Sequence, residues 1–429
     1  MLKYLKMTNV GPAPEMELEL GDRLNILTGD NGLGKSFLLD IAWWALTNSW
    51  PAEINPKLPT GKKALPSGSG HAGIKATYVG YFPHRDNGET REKHGNASCT
   101  ATYRHNSGWL RAMSNSINAS LVLYALPDGS FAVWDPARNR DEERAAYVFS
   151  QNEVWDGLTG PAGTSRCNGL INDWANWYRE SNGQAYQNLV AVLDALSPSP
   201  EEKLVPGELT RISLDDVRDI PTIRMPYGQN VPLVHASAGM RRIIALAYIL
   251  VWAWEEHQKA SKFLDTVQAD RIIFIVDEIE SHLHPRWQRC ILQALLSVTE
   301  RIAPSVQTQM IVTTHSPLVM ASLEPVFDSA KDAWFDLDLK GSDVCLTRRE
   351  FEKHGDVSNW LTSEAFDLKS PRNIDAEGLI EKASALLDKQ SLTQEEVQKM
   401  REQLISSLDC KDPFLFRWRA ICEKKGLLQ

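Results

Sequence analysis

The sequence contains few cysteines, and no two of them stand in a C-x-x-C arrangement. The six are far apart, at Cys99, Cys167, Cys290, Cys345, Cys410 and Cys422. A disulfide framework or a cysteine-based zinc site needs closer, repeated spacing. The cysteine usage therefore favours a reducing compartment, and we expect a cytoplasmic protein.

Long hydrophobic runs are also missing. The longest, over residues 243–253, provides about half of the ~20 apolar residues that a membrane-spanning helix needs. The N-terminus has no extended apolar core followed by a cleavage-like site, so we expect no signal peptide. These absences predict no membrane partner and argue against a transporter subunit.

An excess of basic residues is absent as well. With 46 Lys and Arg against 55 Asp and Glu, the formal net charge is −9. Net charge therefore gives no support for broad nucleic-acid affinity, although a local basic groove would be compatible with it. The sequence shows no internal repeat and no sustained heptads, which excludes a long coiled-coil arm.

A glycine-rich segment follows a short apolar run near the N-terminus. Residues 29–36 fit G-x-x-x-x-G-K-[ST], the phosphate-binding P-loop, between a predicted strand and a predicted helix. Glycine lets backbone N–H groups approach phosphates closely, and a helix start adds free N–H groups. The lysine would reach the β- and γ-phosphates, and the serine hydroxyl would ligate Mg²⁺. The predicted nucleotide-binding residues here are Gly29, Asp30, Asn31, Gly32, Leu33, Gly34, Lys35 and Ser36.

Two further apolar segments end in polar residues. Residues 272–276 lead into Asp277 and Glu278, and residues 310–314 lead into His315. The carboxyl ends of parallel strands meet at one edge of a sheet, where such sheets bind ligands. We expect Asp277 to bind Mg²⁺, directly or through water, and Glu278 to orient the attacking water. His315 would contact the γ-phosphate.

A second candidate anion site precedes the apolar stretch at residues 243–254. Ser237 has the residue type of a helix N-cap, and Ala238 and Gly239 follow it. A helix that begins with small residues exposes N–H groups that can bind phosphate. Taken alone, this is weak evidence for a site.

These segments, taken in order, resemble the motifs of ABC-type ATPases. Residues 29–36 correspond to Walker A, Gln151 to the Q-loop, residues 236–240 to the signature, Asp277 and Glu278 to Walker B, and His315 to the H-loop. Residues 277–285, 313–317 and 356–361 are similar to the SMC-like ATPases related to the OLD family and to antiphage systems such as Septu and PARIS. Ala236 and Met240 depart from the Leu and Gln that are frequent in the signature, whereas Ser237 and Gly239 are kept.

The resemblance implies a homodimer, or a larger assembly built from it, with two ATP molecules between its subunits. Each ATP would lie between the P-loop of one copy and Ser237, Ala238 and Gly239 of the other. It also implies ATP and Mg²⁺ as cofactors, with Ser36, Gln151 and Asp277 at the metal. Glu278, His315 and Gln151 would be the catalytic residues.

The expected fold is an α/β P-loop NTPase of the ABC type, with a mixed central sheet. Residues 1–72 would carry the P-loop, and residues 73–150 would form an inserted antiparallel β subdomain. Residues 151–262 would form a helical lobe with the Q-loop and signature. Walker B and the H-loop would lie within residues 263–370, and residues 371–429 would form a helical tail.

Three functions are compatible with these motifs. The first is a slow regulatory ATPase that controls an effector protein, such as a nuclease, in antiphage defence. The second is a DNA-repair or chromosome-maintenance ATPase that binds duplex DNA, and the third is a scaffold that binds ATP and hardly hydrolyses it. Asp336 and Asp338 form an isolated D-x-D, which argues against an OLD-type nuclease within this chain.

Overall fold

The computed structural model describes residues 1–68, 70–86, 89–112, 117–139, 144–160, 163–180, 183–389 and 392–427, with the side chains of 81–94, 117 and 300 excepted. The chain forms two compact units, Met1–Gly355 and Asp356–Gln429. In the described ranges, no helix has both the length and the apolar character needed to cross a membrane.

An eight-stranded mixed sheet forms the centre of the first unit. In chain order its strands are β3 (Leu24–Gly29), β8 (Leu121–Ala125), β9 (Phe131–Trp134), β10 (Tyr147–Phe149), β16 (Arg271–Val276), β17 (Gln307–Thr313), β18 (Ala333–Lys340) and β19 (Asp343–Arg349). Their spatial order is β10-β9-β8-β16-β17-β3-β18-β19. The five strands from β8 to β18 in this order run parallel, and the outer pairs are antiparallel. The parallel strands are buried on both faces for most of their length, as apolar runs predict.

A second, antiparallel sheet covers the P-loop helix. Its members are β1 (Leu2–Thr8), β2 (Glu15–Glu19), β4 (Gly73–Asp86), β5 (Glu89–Arg104), β6 (Gly108–Ala112) and β7 (Ile117–Asn118). In β2, buried Met16 and Leu18 alternate with exposed acids, so one face is wet, as the alternation predicts. The apolar side chains of both sheets and of the helix after the P-loop share one core.

Residues 73–150 do not form a single inserted subdomain. Strands β4 to β7 extend the second sheet beside β1, whereas β8, β9 and β10 belong to the central sheet. Strands β8 and β9 form a hairpin whose connection contains the turn-forming sequence Pro-Asp-Gly-Ser at residues 127–130, a signal that is local in the sequence. The parallel pairing of β8 with β16 joins segments about 150 residues apart, and no local pattern specifies it.

Helices cover the central sheet and form a lobe beside it. In the first unit they are α1 (Lys35–Thr47), α2 (Pro51–Ile54), α3 (Gln151–Asp156), α4 (Leu170–Arg179), α5 (Gln184–Ala195), α6 (Ala238–Phe263), α7 (Pro285–Gln288), α8 (Ile291–Ile302) and α9 (Pro317–Leu323). Short strands β11 (Leu158–Thr159), β12 (Ser165–Cys167), β13 (Val205–Pro206), β14 (Thr222–Arg224) and β15 (Asn230–Pro232) and a 3-10 turn at Leu233–His235 lie between them. Helix α6 is 26 residues long, and its N-cap Ser237 accepts a hydrogen bond from Met240 N, as predicted.

The second unit is a small helical bundle. It contains α10 (Val357–Leu361), α11 (Ile374–Leu387), α12 (Gln394–Ser407) and α13 (Pro413–Lys424). A capping box between Thr393 and Glu396 opens α12. Trp418 lies in the bundle core, and its Nε1 donates to Ala383 O at 3.1 Å. Its indole is therefore used in packing.

The close approach of β18 to the P-loop explains why Gly29 is a glycine. Gly29 has φ +123°, and a Cβ built there would lie 2.1 Å from Leu337 O. Gly32 also has a positive φ, +82°, but no atom of the described residues lies within 4 Å of its built Cβ. The first position therefore has both a conformational and a steric requirement, and the second has only a conformational one.

We predict that Gly29→Ala lowers the free energy of unfolding by at least about 3 kcal/mol, because the new methyl displaces β18 and φ becomes strained. Gly32→Ala should cost about 1 kcal/mol, the usual penalty for a left-handed backbone. Urea unfolding without nucleotide measures both variants. Equal losses would contradict the role of β18.

Candidate active site

The P-loop connects β3 to α1 through three glycines with positive φ. These are Gly29, Gly32 and Gly34, at φ +123°, +82° and +99°. Asp30, Asn31, Gly32 and Ser36 are exposed, whereas Leu33 is buried. The loop therefore presents its backbone and the first turn of a 13-residue helix to solvent, as a phosphate-binding loop requires.

Lys35 is held by the backbone of its own loop. Its side chain is largely buried, and Nζ donates to Gly29 O and Asp30 O at 2.7 Å each. Burial lowers the pKa of this ammonium, and the negative charges of Asp277, Asp30, Glu278 and Glu280 oppose that shift. The predicted cation and the predicted acids thus lie in one electrostatic neighbourhood.

Asp277 has one satisfied and one unsatisfied carboxylate oxygen. Oδ1 accepts from Thr313 Oγ1 at 2.5 Å, whereas Oδ2 is buried with no hydrogen-bond partner among the described residues. A buried unpaired carboxylate oxygen is costly unless a cation or donor reaches it. This orphaned oxygen fits a magnesium ion, which proteins commonly bind through one or two carboxylates plus substrate phosphates. Asp277 and the exposed Ser36 would hold the ion.

Thr313, at the end of β17, also fixes Glu278. Its Oγ1 accepts from Glu278 N at 2.7 Å, and its carbonyl accepts from Ile279 N at 3.2 Å. Glu278 has φ +47°, which is uncommon for a residue with a side chain and is concentrated at functional sites. One threonine therefore positions both predicted acids.

His315 follows β17 at the same sheet edge. Burial lowers the pKa of this imidazole, and the nearby charge of Lys35 lowers it further. A lowered pKa favours the neutral imidazole, in which one ring nitrogen donates and the other accepts. Its backbone N–H donates to Glu280 Oε1 at 2.5 Å.

Glu280, Thr313 and Arg242 belong to the site but were not predicted from the sequence. Arg242 on α6 donates to Pro127 O at 2.9 Å, Asp277 O at 3.1 Å and Glu278 O at 3.4 Å. The only sequence signals were a third acid after a strand and a second arginine after the signature. Such residues act through contacts that form only when distant segments meet.

Gln151 is the first residue of α3, exposed, behind a capping box made by Ser150 and Glu153. It lines a cavity of about 210 Å³ with residues of the signature helix and the loop after Walker B. The other lining residues are Asp128, Gly129, Phe131, Trp155, Ala238, Arg241, Arg242, Ala245 and His282. The structure thus brings Gln151 beside Ala238, and its place at the metal stays a prediction.

The signature segment shares no hydrogen bond with the P-loop among the described residues. Ser237 and Ala238 are exposed, whereas Gly239 is buried with its built Cβ only 2.6 Å from His282 O. Among the described residues, no hydrogen bond joins Ser237, Ala238 or Gly239 to residues 29–36. One copy therefore carries two separate candidate phosphate-binding segments.

Comparison with known proteins agrees with this order of motifs. A family model described as "AAA domain, putative AbiEii toxin, Type IV TA system" matches residues 123–321. The match spans the signature, Walker B and His315, and the P-loop precedes it. Residues 123–321 are therefore similar to this AAA domain, and the order of the motifs resembles that of ABC-type ATPases. Its fold is an α/β P-loop NTPase with a mixed sheet.

Two curated relatives have retron names. "Retron Vc95 probable ATPase" of Vibrio cholerae serotype O1 biovar El Tor is 45% identical over 51 residues, which are 12% of this chain and 9% of that protein. "Retron Ec83 probable ATPase" of Escherichia coli is 25% identical over 154 residues, which are 36% of this chain and 26% of that protein. The chain thus spans about a quarter or less of the length of these relatives.

A solved SMC head domain from Thermotoga maritima is similar over 81% of this chain and 99% of that chain. The sequence identity is 15% and the TM-score is 0.40. A likeness at this level is too distant to support an inference about the ATPase domain. That inference rests on the strand order and on the order of the motifs in this chain.

We predict that Thr313→Val, which keeps the shape of the side chain, lowers the free energy of unfolding by about 1–3 kcal/mol. The reason is that it leaves Asp277 Oδ1 and Glu278 N without a partner. Thr299→Val is a matched control, since Thr299 is equally buried but donates only to Leu296 O within its own helix. Urea unfolding without nucleotide measures both. Equal, small losses would show that the hydroxyl does not support the acids.

Proposed function

We propose that this chain hydrolyses ATP in a head-to-tail homodimer and thereby controls a separate effector protein in a defence system. The dimer is supported by the presence of two candidate phosphate-binding segments in one copy, the P-loop and residues 237–239, which share no hydrogen bond among the described residues. An isolated copy would leave each segment half of a site. A second copy, related by a two-fold axis, would complete both halves at once.

In the proposed hydrolysis, each residue of the site has a distinct role. Lys35 binds the β- and γ-phosphates, and Glu278 orients the attacking water. His315 contacts the γ-phosphate, and Gln151 lies beside the signature segment where a second copy would bring its nucleotide. Asp277 and Ser36 would hold Mg²⁺, which when bound would offset the charge of the phosphates.

The bonds of Asp336, one of the two acids of the D-x-D segment, favour an effector that is a separate protein. Asp336 accepts from Thr28 Oγ1 at 2.9 Å and from Arg349 Nη2 at 3.1 Å, so it serves packing. In the described ranges, no group of three or more His, Cys, Asp and Glu could hold a metal ion. The retron and toxin–antitoxin names of the similar proteins favour a defence system, with a nuclease as one candidate effector. The protein would then act in the cytoplasm.

We predict that Glu278→Gln slows ATP hydrolysis at least about 100-fold while ATP binding is kept, because the amide cannot orient the water as the carboxylate does. The ATP-bound dimer should accumulate in size-exclusion chromatography. Single-turnover hydrolysis of labelled ATP measures the rate. Unchanged turnover in this variant would refute the role of Glu278.

Mixing two inactive variants tests the composite site. Lys35→Ala removes the P-loop cation, and Ala238→Glu places a negative charge on the exposed first residue of α6, where acids favour the helix itself. A mixed dimer contains one intact site, so random mixing should restore about a quarter of the wild-type rate. If each copy completes its own site, mixing restores nothing.

Assays on the wild-type protein and these variants distinguish the proposed function from the two alternatives, a DNA-maintenance ATPase and an ATP-binding scaffold. ATP-dependent binding to duplex DNA that weakens steeply with salt would favour a DNA-maintenance ATPase. Tight ATP binding with no turnover in a single-turnover assay would favour a scaffold. Either result would replace the proposed mode of action while leaving the nucleotide site in place.

A further inference from the structure

Glu280 is bound through both carboxylate oxygens to the loop that carries His315. Oε2 accepts from Thr314 Oγ1 at 2.7 Å, and Oε1 accepts from His315 N at 2.5 Å. Glu280 is partly buried, two residues beyond Glu278. Hydrogen bonds to an ionised carboxylate are among the stronger ones in proteins. The proposed hydrolysis assigns this residue no part.

The same loop has further bonds with the segment that contains Glu280. Thr314 Oγ1 accepts from Ser316 N at 3.0 Å, so its hydroxyl both donates and accepts. Ser316 Oγ donates to Gln288 Oε1 at 2.7 Å, and Gln288 Nε2 donates to Leu283 O at 2.9 Å. Two residues that follow Walker B therefore hold the loop after β17. Glu280 binds Thr314 and His315, and Gln288 binds Ser316.

We propose that Glu280 is a positioning residue for hydrolysis, which fixes the backbone of Thr314 and His315 so that the imidazole is aimed at the γ-phosphate. The inference rests on the proposed ATPase function and deepens it. Glu280 would act through His315, without touching the nucleotide. The Thr314 hydroxyl is the second half of the same support.

The geometry requires a side chain with two acceptor oxygens. Two donors meet Glu280, and each of its two oxygens accepts from one of them. In Glu280→Gln, one oxygen is replaced by an NH₂ group that cannot accept. Glu280→Ala removes both acceptors, so its effect should be the larger.

A matched control lies in the same unit. Glu324 Oε1 accepts from His354 N at 2.8 Å and from Gly355 N at 2.9 Å, so it also supports a loop through two backbone N–H groups. We expect Glu280→Ala to lower kcat about tenfold or more with a smaller change in KM for ATP. Glu324→Ala should leave both parameters unchanged. Equal kcat values for these two variants would overturn the proposal.

A double-mutant cycle tests whether Glu280 acts through His315. In a His315→Ala background, Glu280→Ala should lower kcat by less than about twofold, because the group that it positions is already gone. A merely structural role would give the same factor in both backgrounds. That additive result would contradict the proposed positioning.

Amide hydrogen exchange gives a readout that does not require turnover. Without nucleotide, Glu280→Ala should speed exchange at the His315 amide about tenfold or more, since its acceptor is lost, whereas Glu324→Ala should not. If the wild-type protein hydrolyses no ATP, the proposed function fails. The exchange rate of the His315 amide in Glu280→Ala would still test whether Glu280 fixes this loop. Unchanged exchange at His315 would overturn the positioning role by itself.

Discussion

Parallel pairing of β3, β16 and β17 is the constraint on which the rest of the site depends. Because Val312 lies opposite both Ile26 and Val276, the strand ends that precede the P-loop, Walker B and His315 lie at one edge. Backbone hydrogen bonds fix this register, and burial on both faces prevents a slip. Segments almost 300 residues apart in sequence therefore present their polar residues to the same place.

That edge needs a second set of contacts to become a site. Asp277 and Glu278 follow the strand immediately, in a backbone with a left-handed residue, and the Thr313 hydroxyl bonds to both. Arg242 reaches the carbonyls of the same two residues from α6. The acids are thus held by a neighbouring strand and by the signature helix. A displacement of α6 would therefore disturb the hydrogen bonds from Arg242 to the Asp277 and Glu278 carbonyls.

The sequence predicted the motifs well and their supports poorly. The P-loop, the strand before Asp277, the N-cap Ser237 and the hairpin β8–β9 are specified within a few residues, so periodicity and turn chemistry reveal them. The place of β18 beside the P-loop, the division of residues 73–150 between two sheets and the bonds of Glu280 depend on pairing between distant segments. Such pairings leave no period in one sequence. The roles of Gln151, Ser237 and Gly239 at the nucleotide stay predictions.

One short segment joins the two candidate phosphate sites of a single copy. Glu280 bonds to the His315 loop, and two residues later the His282 carbonyl packs against Gly239 so closely that a Cβ would not fit. His282 itself has φ +62°, in the left-handed region. In the proposed head-to-tail dimer, His315 and Gly239 of one copy would serve different ATP molecules. The segment from Glu280 to His282 would then contact elements of two different ATP sites, because it bonds to the His315 loop at one end and packs against Gly239 at the other.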